Sequence, residues 1–504
     1  MNKLELSNKL SKLNKHIIIL AILLVLFVPY ILGFFATPQQ NYYLWAPIYN
    51  KGDAVTYIYK MQIGYSGEWL YKNFYDIRNE TRSLFFTFYI LLGHIARVLN
   101  LNITLLFHVA RIVSGYFLLL MLYSLIKKIV KAREKVNFYF IIASLFYPVI
   151  GILLAEAYTS SSIIASPHMA LSMGLYLYIG KLLMEFHEDK KNKFCLATSI
   201  FFLILIHPFM IFPINAFNLA LFLKRNGLKC SKKNFLKWVY DTISINIGSL
   251  PYLIYILYIF SSEEFQRWIT QSQLSTFPFL IMSFDVFLYF IFRNVKNENG
   301  VKFKDKFAEI DIWVIVILIC VLLPFSFQRR MIEGLGVLIG ISSAYFLLYS
   351  KRRVVNKIII LLMGLQLIYI TIFLPIISVQ QRVPTYISYE EKQVLNYFID
   401  NNIQGKYVLS IDIFGLYMPA YTYNKSYIGH SAETGSLEYK KEKLFNLKSK
   451  EQFNVFISEN NFDYIIINKQ ADTKLKKRFL EFSKVFKEQK VFENKQFIIY
   501  AYEV

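Results

Sequence analysis

Long runs of apolar residues, separated by short polar segments, fill the chain as far as about residue 379. A helix needs about 20 residues to cross the hydrocarbon core of a bilayer. Runs near this length predict eleven membrane spans, at 16–35, 105–126, 138–155, 168–186, 195–210, 211–224, 238–260, 278–293, 311–327, 334–350 and 358–378. The pattern therefore predicts an α-helical polytopic membrane protein.

Two segments depart from a simple crossing. The stretch 195–224 is short for two spans, and His207-Pro208 and Pro213 predict a broken hairpin whose freed backbone groups neighbouring helices must cover. The apolar stretch 84–99 carries polar residues near one helical face, which favours an amphipathic helix lying on the outer membrane surface. The alternative, a crossing at 84–99, would place the basic run 127–135 outside.

From residue 380 the pattern becomes that of a folded polar region. Segment 388–401 reads as a helix with Ser388 as its cap, and helical patterns follow at 437–459 and 472–485. Strand-like segments lie at 407–411, 427–429, 463–467, 490–492 and 497–502. We expect a transmembrane domain over 1–379, with an outer loop at 36–104, and a C-terminal extracytoplasmic α/β domain over 380–504. No catalytic motif stands out in the α/β domain, which favours a structural or acceptor-guiding role.

Composition and charge give the chain an orientation. The chain is 55% hydrophobic and only 18% charged, which excludes an ordinary cytosolic enzyme, a disordered chain and a fibrous protein. The net charge of +22 is concentrated in loops at 3–15, 127–135, 190–193, 224–237, 293–306 and 351–357. The positive-inside rule places these loops and the N-terminus in the cytoplasm and the C-terminal domain outside, so the basic excess does not indicate nucleic-acid binding. A cleaved signal peptide at 16–35 is the less favoured alternative.

Ionisable side chains near the outer membrane edge are the candidates for chemistry, because such groups usually line a cavity. Asp53, in NKGDAVTYIY, is either a general base for an acceptor hydroxyl or a helix N-cap. Asp76 is a second candidate in the same loop, and Glu156 is either a second site carboxylate or an interfacial one. His168 and His207 are each either a packed, hydrogen-bonded residue or a catalytic one.

Three arginines are candidates for binding a phosphate. Arg329 and Arg330 lie together at the outer end of a predicted span, where they either bind a phosphate or extend towards lipid headgroups. Arg111 lies inside the predicted span 105–126. The three cysteines, Cys195, Cys230 and Cys320, have no metal-ligand or disulfide-framework spacing, and we predict no metal and no cofactor.

The layout resembles the GT-C superfamily of integral membrane glycosyltransferases, the broad group of the protein O-mannosyltransferases and the aminoarabinose transferases. The resemblance rests on Asp53 followed by GEWLY at 67–71, on HVARIVSGYFLLLMLYSLIKK at 108–128, and on FGLYMPAYTYNKSYIGHSAET at 414–434. The last segment is similar to one in poorly characterised bacterial and archaeal members. Ala54 stands where the mannosyltransferases have a second acid, which leaves the substrate pair open.

The resemblance implies a lipid-phosphate-linked sugar as the donor, a glycan, lipid or protein as the acceptor, and a bilayer as the surroundings. Asp53 would then be the base, and Arg111, or Arg329 with Arg330, would hold the donor phosphate. We therefore predict a plasma-membrane glycosyltransferase that inverts the configuration at C1 of the sugar. The rival class is a multi-span transporter or lipid flippase, although the two halves of the chain do not match as transporter repeats do.

Overall fold

A computed structural model describes residues 9–45, 51–76, 82–146, 155–189, 192–270, 276–380, 385–431, 433–470, 473–483 and 489–502. Helices dominate these ranges. Up to residue 380 they are Lys15–Ala36, Lys51–Tyr65, Thr87–Val98, Ile103–Ile129, Arg133–Leu145, Thr159–Ala165, Pro167–Asp189, Lys193–Ile206, Ile211–Asn226, Lys232–Asn246, Leu250–Ile259, Glu263–Thr270, Thr276–Phe292, Phe303–Lys306, Ala308–Leu322, Leu335–Tyr349, Arg353–Ile368 and Leu374–Gln380. The later helices are Tyr389–Asp400, Phe414–Tyr417, Leu437–Phe445, Lys450–Asn460 and Lys474–Phe482.

Six helical stretches of the described chain are long and apolar enough to cross a membrane. They are Lys15–Ala36, Ile103–Ile129, Pro167–Phe186, Lys232–Ile259, Gln328–Tyr349 and Arg353–Gln380. Shorter apolar helices include Thr87–Val98 and Lys193–Ile206. The larger count of eleven spans stays a prediction, and residues 147–154 of the predicted span 138–155 lie outside the described residues.

The predicted break within 195–224 is confirmed. One helix ends at Ile206, and a short turn at Pro208–Met210 leads into the helix Ile211–Asn226. His207 has an irregular backbone, with φ of −143° and ψ of 77°. Proline cannot continue the hydrogen-bond ladder of the preceding helix, which is why the interruption follows His207.

The contacts divide the chain into two compact units, Met1–Pro29 with His108–Leu374, and Tyr30–Phe107 with Pro375–Val504. In the first unit, the helix Leu335–Tyr349 is buried over most of its length. A Cβ added at Gly340 would lie 2.9 Å from the Cα of Ala143, so the absence of a side chain allows the helix Arg133–Leu145 to pack closely. Small residues commonly permit such close approach between helices in membranes.

In the second unit, two helices cross with their backbones almost touching. A Cβ added at Gly64, in Lys51–Tyr65, would lie 1.9 Å from the carbonyl oxygen of Ile90. A Cβ added at Gly93, in Thr87–Val98, would lie 1.9 Å from the carbonyl oxygen of Met61. The two glycines therefore fix the crossing point of these helices.

The second unit also contains the strands. β1 (Tyr42–Tyr43) pairs antiparallel with β2 (Tyr386–Ile387). β3 (Tyr407–Ser410), β4 (Lys425–Ser426), β5 (Tyr464–Asn468), β6 (Lys490–Glu493) and β7 (Phe497–Ala501) form a sheet in the order β4-β3-β5-β7-β6. β3 is parallel to β4 and β5, whereas β7 is antiparallel to β5 and β6.

The helices and strands predicted for the C-terminal region were partly confirmed. Ser388 caps the helix Tyr389–Asp400 as predicted, in a reciprocal capping box with Glu391. The prediction of a strand at 427–429 is wrong, because the pairing with β3 occurs two residues earlier, at Lys425–Ser426. The helical pattern 437–459 is divided into two helices, because the second begins afresh after Ser449, whose side chain accepts a hydrogen bond from the Gln452 amide.

Candidate functional site

Asp53 lies in the first turn of the helix Lys51–Tyr65, two residues after the helix begins. It is therefore inside the helix and not at its N-cap, although a carboxylate here still interacts favourably with the helix dipole. Its Oδ1 lies 3.1 Å from Nε2 of His430. The Asp53 side chain is 36% exposed and that of His430 is 8% exposed, so the carboxylate is the accessible member of the pair.

Gly52 gives His430 the room to reach Asp53. A Cβ added at Gly52 would lie 3.0 Å from Nε2 of His430, closer than ordinary van der Waals contact. Gly52, which has no side chain, therefore lies directly before Asp53 in the helix Lys51–Tyr65 and leaves space for the imidazole. The close approach brings together two residues that are far apart in the sequence.

Glu433, which lies in the segment 414–434 with His430, contacts Lys60 of the helix Lys51–Tyr65. Its Oε1 lies 2.6 Å from Nζ of Lys60, and the Tyr71 hydroxyl donates a hydrogen bond to its Oε2. The Asn73 side-chain amide donates to its carbonyl oxygen at 2.8 Å. Nζ of Lys60 lies 3.7 Å from the centre of the Phe86 ring, so aromatic groups contribute to solvating the buried ammonium.

The environment keeps Glu433 ionised. Burial alone would raise the pKa of Glu433, but the charges of Lys60 and His430 outweigh it, and the pKa lies below the usual value for a glutamate. The Lys60 and Tyr71 hydrogen bonds act in the same direction. Glu433 is therefore a buried, compensated anion.

Asp76 occupies a different setting from Asp53. Its Oδ1 lies 3.6 Å from Nζ of Lys440, and the two side chains are only 8% and 2% exposed. Asp76 is therefore buried beside a lysine, whereas Asp53 is partly exposed beside a histidine. Residues 77–81, which follow Asp76, lie outside the described residues.

In the first unit, the structure brings Glu156 together with the arginine pair. Oε1 of Glu156 lies 2.9 Å from Nη1 of Arg330 and 3.7 Å from Nη2 of Arg329. The Gly334 amide donates to the Glu156 carbonyl oxygen at 3.2 Å. Burial would raise the pKa of Glu156, but Arg329 and Arg330 outweigh it, and the net shift is downward.

His207 joins the same cluster through a second carboxylate. Its Nδ1 lies 2.5 Å from Oε2 of Glu333, a side chain that is 1% exposed. The Ser172 hydroxyl donates to Oε1 of Glu333 at 2.5 Å. The rings of Phe209 and Phe327 stack with centroids 4.4 Å apart, which packs the helix break against the turn that carries the arginines. Glu156, His207, Arg329 and Arg330 are therefore neighbours.

Arg111 and His168 have local partners. Arg111 is 1% exposed, its Nη1 donates to the Ile163 carbonyl oxygen at 3.2 Å, and its guanidinium carbon lies 5.4 Å from the Phe27 ring centre. Nδ1 of His168 lies 3.0 Å from the Ser166 hydroxyl. These contacts fit packed residues of the first unit, and a substrate role for either stays a prediction.

The segment 414–434 carries part of the family resemblance, but neither His430 nor Glu433 was predicted as a site residue. Lys425, His430 and Glu433 are the residues with titratable side-chain charge in a stretch otherwise rich in tyrosine and small residues. Because charged side chains are so few in this segment, His430 and Glu433 could have been recognised from the sequence as candidate site residues. Their partners, Asp53 and Lys60, could not be assigned from the sequence because the pairs join distant segments.

Comparison with known proteins identifies the fold. No protein-family model and no curated protein sequence matches the chain. The structure of ArnT from Cupriavidus metallidurans bound to undecaprenyl phosphate is similar, with a TM-score of 0.51 and 10% identity over 96% of this chain and 97% of that one. The arabinofuranosyltransferase AftD from Mycobacteria is similar with a TM-score of 0.52 and 11% identity, over 97% of this chain but 40% of that one. The chain has a GT-C-like fold.

Proposed function

We propose that this chain is an integral membrane glycosyltransferase that moves a sugar from a polyprenyl-phosphate-linked donor to an acceptor hydroxyl. Its six apolar helical stretches and GT-C-like fold are those of an integral membrane protein. The undecaprenyl phosphate bound to ArnT supports the class of donor lipid. Because a fold hosts many functions, the proposal depends on the side chains of the site.

The observation that carries the proposal is the setting of Asp53 relative to two nearby carboxylates. Glu433 and Asp76 are each 8% exposed and paired with buried lysines, whereas Asp53 is 36% exposed and paired with a histidine. A base must reach the proton that it removes, so exposure favours Asp53 over the other two. Asp76 remains a secondary candidate.

The proposed reaction is an inverting displacement. Asp53 takes the proton of an acceptor hydroxyl while the acceptor oxygen forms a bond to C1 of the sugar. The bond between C1 and the phosphate oxygen breaks, and its electron pair stays on the polyprenyl phosphate. A positioned base contributes typically about 10²–10⁴-fold to such a step.

For the donor phosphate we propose the cluster around Glu156. Arg329 is 30% exposed and only loosely paired with Glu156, so its guanidinium is the more available for a phosphate. Arg330 is 14% exposed and holds Glu156 at 2.9 Å, which suits a supporting role. Arg111, His168 and His207 remain further candidates on the grounds given by the sequence.

The orientation and setting are also proposed. Basic loops favour a cytoplasmic N-terminus, an extracytoplasmic C-terminal α/β domain and eleven spans in the plasma membrane. The acceptor is a glycan, a lipid or a protein presented on the outer face.

The test is transfer by purified full-length protein supplied with a panel of radiolabelled polyprenyl-phosphate sugars and membrane-extracted acceptors. We expect transfer from one donor class, and a loss of at least about 100-fold in Asp53→Asn with donor binding retained. Asp76→Asn tests the secondary candidate, and it should retain turnover if Asp53 is the base. Near-normal turnover of Asp53→Asn would remove Asp53 as the base, and lipid movement without transfer would favour the transporter class.

A further inference from the structure

We infer that His430 is a positioning residue for Asp53, so that the C-terminal segment completes the catalytic carboxylate supplied by the helix Lys51–Tyr65. The inference rests on the proposed role of Asp53 as the base. It assigns a role to the segment 414–434 beyond that of a structural or acceptor-guiding cap.

The geometry of the pair supports positioning and not direct catalysis by His430. Nε2 of His430 lies 3.1 Å from Oδ1 of Asp53, which is hydrogen-bond distance for a nitrogen and an oxygen. His430 is 8% exposed, whereas Asp53 is 36% exposed. An acceptor hydroxyl would therefore meet the carboxylate, with the imidazole fixing one of its two oxygens.

His430 is itself held from several sides. The Thr434 amide donates to the His430 carbonyl oxygen at 2.8 Å, and the Gly429 amide donates to the Thr434 hydroxyl at 3.1 Å. The ring of Tyr75 lies beside the imidazole, with centroids 6.5 Å apart. A Cβ added at Gly429 would lie 2.4 Å from the Tyr75 ring, so this loop depends on glycine to pack there.

The buried ion pair of Glu433 fixes the loop to the helix that carries Asp53. Glu433 lies three residues after His430, and Lys60 lies seven residues after Asp53, which is two helical turns. The helix and the loop are thus joined at two points, one at the Asp53 end and one at Lys60. A loop fixed at Glu433 presents His430 with little freedom of its own.

Asp53, Glu433 and Tyr75 lie near the imidazole of His430, and Lys60 neutralises one of the two carboxylates. In the reaction the acceptor proton moves to the Asp53 carboxylate, and His430 undergoes no bond change.

The experiment is a double-mutant cycle on turnover in the purified full-length protein. His430→Leu removes the hydrogen-bond donor, and we expect kcat to fall by up to about 100-fold with donor KM little changed. His430→Gln places an amide near the Nε2 position and should recover most of the loss. His430→Leu combined with Asp53→Asn should be no slower than Asp53→Asn alone, since His430 acts through Asp53.

Ser431→Ala, an exposed neighbouring position, is the control for substitution in this loop and should leave turnover unchanged. Wild-type kcat in His430→Leu, additive losses in the double variant, or equal losses in the Leu and Gln variants would each overturn the positioning role. Near-normal turnover in Asp53→Asn would instead overturn the base itself. That result is read independently of the His430 variants, so the two failures are distinguishable.

Discussion

Lys60 and Glu433 are 373 residues apart in the sequence, and their side chains form a buried ion pair with Nζ 2.6 Å from Oε1. The pair is closed by the Tyr71 hydroxyl on the second carboxylate oxygen. A buried charge without a partner costs free energy, so separating the two side chains is unfavourable. The pair therefore stabilises the packing of the segment 414–434 against the helix Lys51–Tyr65. His430, three residues before Glu433, lies beside Asp53 of the same helix.

Removing one member of this pair should destabilise the protein. Lys60→Met leaves Glu433 buried without its cation, and we expect a loss of roughly 3–5 kcal/mol in the free energy of unfolding. Lys60→Met with Glu433→Gln should be less destabilised than Lys60→Met alone. Unfolding in detergent by heat or denaturant measures both.

Lys72→Met is the matched control, because Lys72 and Glu68 form an i,i+4 pair with side chains 24% and 40% exposed. Exposed pairs contribute about 0–1 kcal/mol. Equal losses in the two lysine variants would contradict a special role for the buried pair.

Acid should weaken the protein through Glu433. The pKa of Glu433 in the folded state lies below its ordinary value of 4.5, so its ionised form stabilises the fold above that pH. This contribution is lost as the pH falls below 4.5 and through the lower folded pKa. Melting temperatures from neutral pH to about pH 3 should therefore fall more steeply in the wild type than in Glu433→Gln. Parallel curves would show that Glu433 does not contribute.

The crossing of the helices Lys51–Tyr65 and Thr87–Val98 should not tolerate a methyl group. In Gly64→Ala or Gly93→Ala the new Cβ would lie 1.9 Å from a backbone oxygen, which forces the helices apart. We expect each variant to lose about 1–3 kcal/mol of stability. Gly364→Ala is the control, because nothing lies within 4 Å of the added Cβ, and it should cause no loss.

The two neighbouring arginines should have separable effects. Arg329→Gln should raise the donor KM about tenfold, the loss of one charge-assisted contact of roughly 1.5 kcal/mol, with a smaller fall in melting temperature than in Arg330→Gln. Arg330→Gln should lower the melting temperature, because it removes the closer cation from buried Glu156. Donor titration and thermal unfolding on the same preparations measure the two effects. An unchanged KM in Arg329→Gln would leave Arg329 as a headgroup anchor.

The proposed orientation can be tested by cysteine labelling in intact cells. Single cysteines at Ser231 and Ser436 would be introduced after Cys195, Cys230 and Cys320 are replaced. An impermeant thiol reagent should label position 436 directly and position 231 only after permeabilisation. Labelling at 231 in intact cells, or none at 436, would reject the orientation.

Local sequence patterns were sufficient to predict many helical segments and several of their ends. Apolar runs located the helices Lys15–Ala36 and Pro167–Asp189, His207-Pro208 located the break, and Ser388 located a helix start. These features are set by residues within a few positions of each other. Proline removes a local hydrogen bond, and a serine cap satisfies a local amide, so a linear pattern is sufficient to predict them.

The pairing of charged groups could not be predicted from local sequence patterns, because it depends on the folded chain. The sequence offered Asp53 and Asp76 as similar carboxylates, but folding gave Asp53 a histidine and partial exposure and buried Asp76 beside Lys440. It likewise separated Arg329 from Arg330 by their distances to Glu156. Burial and ion pairing bring together segments that are hundreds of residues apart. The free energy of an ionised side chain depends on the groups around it in the folded protein and not on its neighbours in the sequence.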